Sequence, residues 1–122
     1  MAKVLLIDDD VDFVAINQIL LEKEGYQVVS AHNLKDGWVA LQTERPDLLI
    51  LDVMMEEPDD GFAMAQKIRR EGNTIPILML TSVGKVTGMK FGKDPEMVPV
   101  NEFLEKPVPA ETLKKIVKKL LK

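Results

Sequence analysis

Four short apolar runs, at Val4 to Ile7, Val28 to Ala31, Leu48 to Leu51 and Ile77 to Leu80, restrict this chain's fold more than any other feature, with a weaker fifth at Phe103-Leu104. They do not alternate apolar with polar residues, as a strand with one wet face would. Runs of this kind belong to strands buried on both faces, as in a parallel sheet. Between them lie helical stripes: Phe13, Ile16 and Leu20; Leu34, Trp38 and Leu41; Phe62, Ala65 and Ile68; and a last one of Leu113, Ile116, Val117, Leu120 and Leu121. Gly25, Pro46 and Gly72 stand where the first three helices should stop. Strands separated by helices imply βαβ units with right-handed crossovers. The expected fold is therefore α/β, a three-layer sandwich.

With 122 residues the chain suits one domain, expected over residues 1–122. Apolar residues at 46% and charged residues at 30% match an ordinary globular protein, and a net charge of −4 gives no reason to expect direct nucleic-acid binding. Cysteine is absent, which excludes disulfides and thiolate chemistry, and His32 is the only histidine, which excludes a His-rich metal site. The first apolar run is too short for a signal peptide or a membrane span, so a cytoplasmic location without membrane insertion is expected. Residues 84–100 carry Gly84, Gly88, Gly92, Pro95 and Pro99, and a short turn with an ordered loop is expected there rather than a long helix. Lys114, Lys115, Lys118, Lys119 and Lys122 read as the solvated side of the last helix.

In an open parallel sheet, ligands bind beyond the carboxyl ends of the strands. Asp8, Asp9 and Asp10 follow the first strand, Asp52 the third, Thr81 and Ser82 the fourth, and Lys106 and Pro107 the fifth. Each has an ordinary reading: one aspartate caps the next helix, Thr81 and Ser82 form a turn, Lys106 is solvated. Together, at one sheet edge, they have a chemical logic. Converging carboxylates repel unless a cation joins them, and oxygen-only ligands suit Mg²⁺. A carboxylate can then act as nucleophile toward a phosphoryl group. The metal and a lysine neutralise the transferring oxygens, and a threonine hydroxyl binds another.

In these motifs the chain resembles the CheY-like receiver domain of two-component response regulators. The carriers are Leu-Ile-Asp-Asp-Asp at 6–10, Leu-Asp-Val-Met-Met at 51–55, Asp-Gly at 60–61, Leu-Thr-Ser at 80–82 and Lys-Pro at 106–107. The resemblance implies a doubly wound, flavodoxin-like five-stranded sheet in order 2-1-3-4-5 with five helices. It implies Asp52 as phosphoacceptor, Asp8 and Asp9 as the acidic pair around Mg²⁺ with Asp9 the more direct ligand, and Met54 as a ligand through its backbone carbonyl. Thr81 matches the hydroxyl that follows the phosphoryl group, Lys106 the lysine that pairs with it, with a usually cis bond to Pro107. Phe103 sits at the switch aromatic, where a plain core residue is an equal reading. The implied partners are a histidine kinase or histidine phosphotransfer protein and a downstream protein target. The domain would catalyse only its own phosphotransfer and a slow self-dephosphorylation, with Met54 and Val83 shielding the acyl phosphate. Three departures stand out. Glu56 occupies the place of a usual proline, and the loop from Asp52 to Asp60-Gly61 is about one residue longer than usual. The stretch from Thr81 to Lys106 is longer by about three residues and makes the fourth helix region atypical. Two alternatives stay open: a metal-dependent phosphohydrolase with an aspartyl-phosphate intermediate, and a non-phosphorylated interaction module of the same fold.

Overall fold

The computed structural model describes residues 2–52, 60–82 and 100–121. Along the chain these form β1 (Lys3–Ile7), α1 (Val11–Lys23), β2 (Gln27–Ala31), α2 (Leu34–Glu44), β3 (Leu48–Asp52), α3 (Asp60–Arg70), β4 (Ile77–Ser82), β5 (Glu102–Lys106) and α4 (Ala110–Leu120). All strand pairings are parallel and the sheet order is β2-β1-β3-β4-β5, as the sequence led us to expect. Met54, Glu56, Val83 and the expected turn and loop of residues 84–99 lie outside the described residues. Among the described residues no helix is long and apolar enough to cross a membrane.

The pleat of each strand sends alternate side chains to opposite faces. Leu5 and Ile7, Leu49 and Leu51, and Ile77 and Met79 pack with Leu41, Met64, Ala65 and Ile68 under α2 and α3. Val4 and Leu6, Leu48 and Ile50, and Leu78 and Leu80 pack with Val14, Leu21, Leu113 and Val117 under α1 and α4. Both faces are thus dry, which is why these strands read as unbroken apolar runs. β5 is weaker in sequence because it is an edge strand with β4 as its partner and only half-buried positions for Phe103 and Leu104. Its Glu102 reaches the exposed Lys119 of α4 at 3.0 Å.

The helices end where expected, with Gly25 and Gly72 at positive φ (93° and 82°) just beyond α1 and α3. α2 closes on Arg45 in the left-handed region, one residue before Pro46. The stripe on α1 needs correcting by one position. Its buried residues are Val14, Asn17 and Leu21, while Phe13 and Leu20 are half-buried and Ile16 is 66% exposed. Asn17 is tolerated inside because its amide donates to the Phe13 carbonyl one turn back, at 2.8 Å. α2 comes close to the sheet at Gly37, where a Cβ would stand 2.5 Å from Ile7 Cδ1.

Candidate functional site

The strand ends bring the candidate residues to one edge. Asp8 continues β1 by donating its N–H to the Ala31 carbonyl at 3.1 Å. Asp52 is the last residue of β3, Thr81 lies in β4 opposite Glu105 of β5, and Lys106 closes β5. Pleat phase then sorts them. Asp8, Asp52 and Lys106 continue the alternation that faces α1 and α4, whereas Thr81 and Phe103 continue the one that faces α2 and α3. The site therefore straddles the sheet.

Asp8 is fully buried, and both its oxygens are engaged. Oδ1 accepts the Asp10 N–H at 2.9 Å, and Oδ2 accepts from Lys106 Nζ at 2.6 Å. The same Nζ stands 3.8 Å from Asp52 Oδ2, with Asp52 buried as well. It also lies 4.3 Å from the centroid of the Phe13 ring, whose π face favours a cation. Lys106 is thus held by two carboxylates and an aromatic ring. Phe13 was expected only as part of an apolar stripe; its position three residues past Asp10 carries no distinctive signal in the sequence. Asp10 is the capping aspartate: Oδ1 accepts the Phe13 N–H at 3.1 Å and starts α1.

Asp9 is exposed at the mouth, yet one oxygen from each of Asp8, Asp9 and Asp52 lies within 4.8 Å of the others. At that separation the two buried carboxylates, Asp8 and Asp52, repel by roughly 3.5 kcal/mol at an effective dielectric of about 20. One lysine balances only one of the three charges. A donor set of carboxylate oxygens with excess negative charge fits a hard divalent cation. On the adjacent strand, the buried Thr81 hydroxyl has no hydrogen-bond partner among the described residues. A buried hydroxyl left unpaired costs on the order of 1–3 kcal/mol, and such a group in a native site calls for a ligand or solvent. Phe103 is half-buried against the α2/α3 core, with its ring 6.1 Å from that of Phe62 and inclined by 56°. The Lys106–Pro107 bond is cis.

A family model, "Response regulator receiver domain", matches residues 4–118. The chain belongs to the response regulator receiver domains. This receiver domain is 32% identical to the alkaline phosphatase synthesis transcriptional regulatory protein PhoP of Bacillus subtilis over 98% of the chain and 48% of PhoP. It is 31% identical to protein PilH of Pseudomonas aeruginosa over 99% of the chain and 98% of PilH. The crystal structure of the chemotaxis protein CheY4 of Vibrio cholerae superposes on the receiver domain with a TM-score of 0.85 at 30% identity, covering 99% of both chains. The chain spans about half the length of the first curated relatives it matches, which are transcriptional regulators. Family membership favours signalling over the phosphohydrolase alternative. Acidic residues of the kind clustered at Asp8, Asp9 and Asp52 typically bind Mg²⁺ in receiver domains.

Proposed function

We propose that this receiver domain accepts a phosphoryl group on Asp52 from a phosphohistidine of a partner kinase or phosphotransfer protein in the cytoplasm. The observation that carries the reading is the composition of one sheet edge: a buried carboxylate at a strand end, an ammonium 3.8 Å away, and on the adjacent strand a buried hydroxyl with no partner among the described residues. An Asp52 oxygen attacks phosphorus, the P–N bond breaks, and its electron pair stays on the donor imidazole. The product is an acyl phosphate, and hydrolysis later returns Asp52 and inorganic phosphate. Lys106 neutralises an oxygen of the transferring group, and Thr81 donates its hydroxyl to another. Asp8, Asp9 and Asp52, with the backbone carbonyl of Met54, would hold Mg²⁺. When bound, that ion supplies charge neutralisation and orients the phosphoryl oxygens. Thr81 and Phe103 serve as the switch, since they share the pleat phase that faces α2 and α3.

The donor's docking surface is proposed on α1. Val11, Ile16 and Ile19 are exposed there, and Ile16 and Ile19 border a groove of about 410 Å³ closed by Pro107 and Val108, directly after Lys106. The surface is continuous with the site through Phe13, which touches Lys106.

Incubation with acetyl phosphate and Mg²⁺ should add one phosphoryl group to the wild-type domain and none to Asp52→Asn, read by intact mass. Stoichiometric labelling of the variant would remove Asp52 from the central role.

A further inference from the structure

The face covered by α2 and α3 carries a second feature, which phosphoacceptance does not use. Between the two helices runs a groove of about 500 Å³ with an apolar floor that includes Trp38, Val39 and Met64. Its charged lining residues are Lys35 on α2 and Lys67 and Arg70 on α3, and no acidic residue among the described residues lines it. Lys35 stands one turn before Val39, and Lys67 and Arg70 are three residues apart, so cations occupy both rims. Neither Lys35 nor Arg70 forms an ion pair with a described residue. Lys67 places its ammonium 4.2 Å from the Trp38 ring centroid, which holds it over the groove rather than away from it.

The ordinary account of a surface lysine is that its stem covers apolar area while its head stays in water. That account fits Lys67 but leaves Val39 more than half exposed. It also does not explain three cations with no ion-pair partner among the described residues, on a chain whose net charge is −4. An apolar floor between two cationic rims matches a ligand that is apolar along one line and anionic beside it. Two neighbouring helices on a sheet offer a natural seat for a third, with side chains at i, i+3 or i+4, and i+7 entering the groove. The lining on α3 from Ala63 to Arg70 extends about 10 Å, or two helical turns.

We propose that the α2–α3 groove docks an acidic amphipathic helix of a partner protein, with apolar side chains on Trp38, Val39 and Met64 and carboxylates on Lys35, Lys67 and Arg70. This surface is separate from the α1 face assigned to the phosphodonor, so its test does not depend on the phosphotransfer reading.

The probe is a synthetic helical peptide with leucines at i, i+3 and i+7 flanked by glutamates, and a control peptide with lysine in place of every glutamate. Trp38 is the only tryptophan and lies in the groove, so its emission reports occupancy. The acidic peptide should bind saturably, shift Trp38 emission and perturb backbone amide resonances of α2 and α3 but not of α1. The lysine peptide should not bind. Reversing charge in the Lys67→Glu/Arg70→Glu variant should weaken the acidic peptide at least roughly ten-fold, with an unchanged thermal melt as the folding control. Absence of saturable binding, binding that maps to α1, or equal binding by the variant overturns the proposal. So does saturable binding of ATP at the groove without the peptide, which would mark a small-anion site. Concentration-dependent dimerisation abolished by the same reversals would overturn it in favour of a second copy of this chain.

Discussion

Asp9 differs from its two neighbours in the acidic cluster in a way that makes it the cleanest residue to test. Asp8 is fixed by Lys106 and the Asp10 amide, and Asp52 is the proposed nucleophile, so changing either disturbs more than one role. Asp9 is exposed, and among the described residues no side chain is hydrogen-bonded to it, yet its carboxylate reaches the cluster. Under the proposed metal reading, Mg²⁺ binds the folded site and not the unfolded chain, and so stabilises by mass action. At about a hundred-fold excess over Kd the gain is about 2.7 kcal/mol, or a rise in Tm of roughly 10 °C for a domain of this size. Asp9→Asn should leave the Tm without metal within a few degrees of wild type and lose most of the Mg²⁺-dependent rise, measured by calorimetry. An undiminished rise would take Asp9 out of the ligand set. The residue scale is also where the sequence was most legible. Asp8, Asp52, Thr81 and Lys106 stand at the strand ends named from the order of motifs, because a parallel sheet leaves little freedom in where the residue after each apolar run can lie. The tighter pairing of Lys106 with Asp8 than with Asp52 was not legible, since it depends on ångström-scale placement across 98 residues of chain.

Among the elements, α4 was read correctly and α1 was displaced by one residue, for a physical reason. α4 has a clear apolar stripe, whereas α1 carries apolar residues nearly all round, with Asn17 on the buried side and Ile16 and Ile19 on the wet side. Periodicity cannot assign a face when both faces are apolar. A helix that buries one apolar face and still exposes large aliphatic side chains has something further to cover. Ile16→Asp therefore serves as an element-scale test. The side chain is in solvent, so the fold should keep its stability within about 0.5 kcal/mol. Phosphorylation by acetyl phosphate should proceed at the wild-type rate, while transfer from a phosphorylated histidine kinase should fall by roughly ten-fold or more as an apolar contact becomes a buried charge. Equal transfer rates in wild type and variant would move the donor to another face.

At the scale of the whole molecule, the sheet separates two cores, and the candidate site takes residues from the pleat phases of both. That both sheet faces are buried followed from four unbroken apolar runs, whereas the strand order followed from the family resemblance, because the weak fifth run in β5 does not by itself set it. The division of the site between the two faces was less apparent, although it follows from the same parity: Asp52 is in phase with Leu48 and Ile50, and Thr81 with Ile77 and Met79. A phosphoryl group on Asp52 would thus be chemically attached on the α1/α4 side and hydrogen-bonded from the α2/α3 side. Under the proposed function, Thr81 would be the means by which the second core senses the modification, through a switch of local charge into packing. The Thr81 hydroxyl is buried with no partner among the described residues, so Thr81→Val removes a polar atom unpaired there at little change in volume. That variant should be more stable than wild type by about 1 kcal/mol in urea denaturation. It should still be labelled by acetyl phosphate, because Asp52 and Lys106 are untouched. Its amide resonances near Asp8 and α1 should shift on phosphorylation as in wild type, while those of α3 and of β5 around Phe103 should stay near their unmodified positions. A variant that is less stable, or whose α3 and Phe103 resonances respond in full, would show that the two cores are coupled by a route other than Thr81.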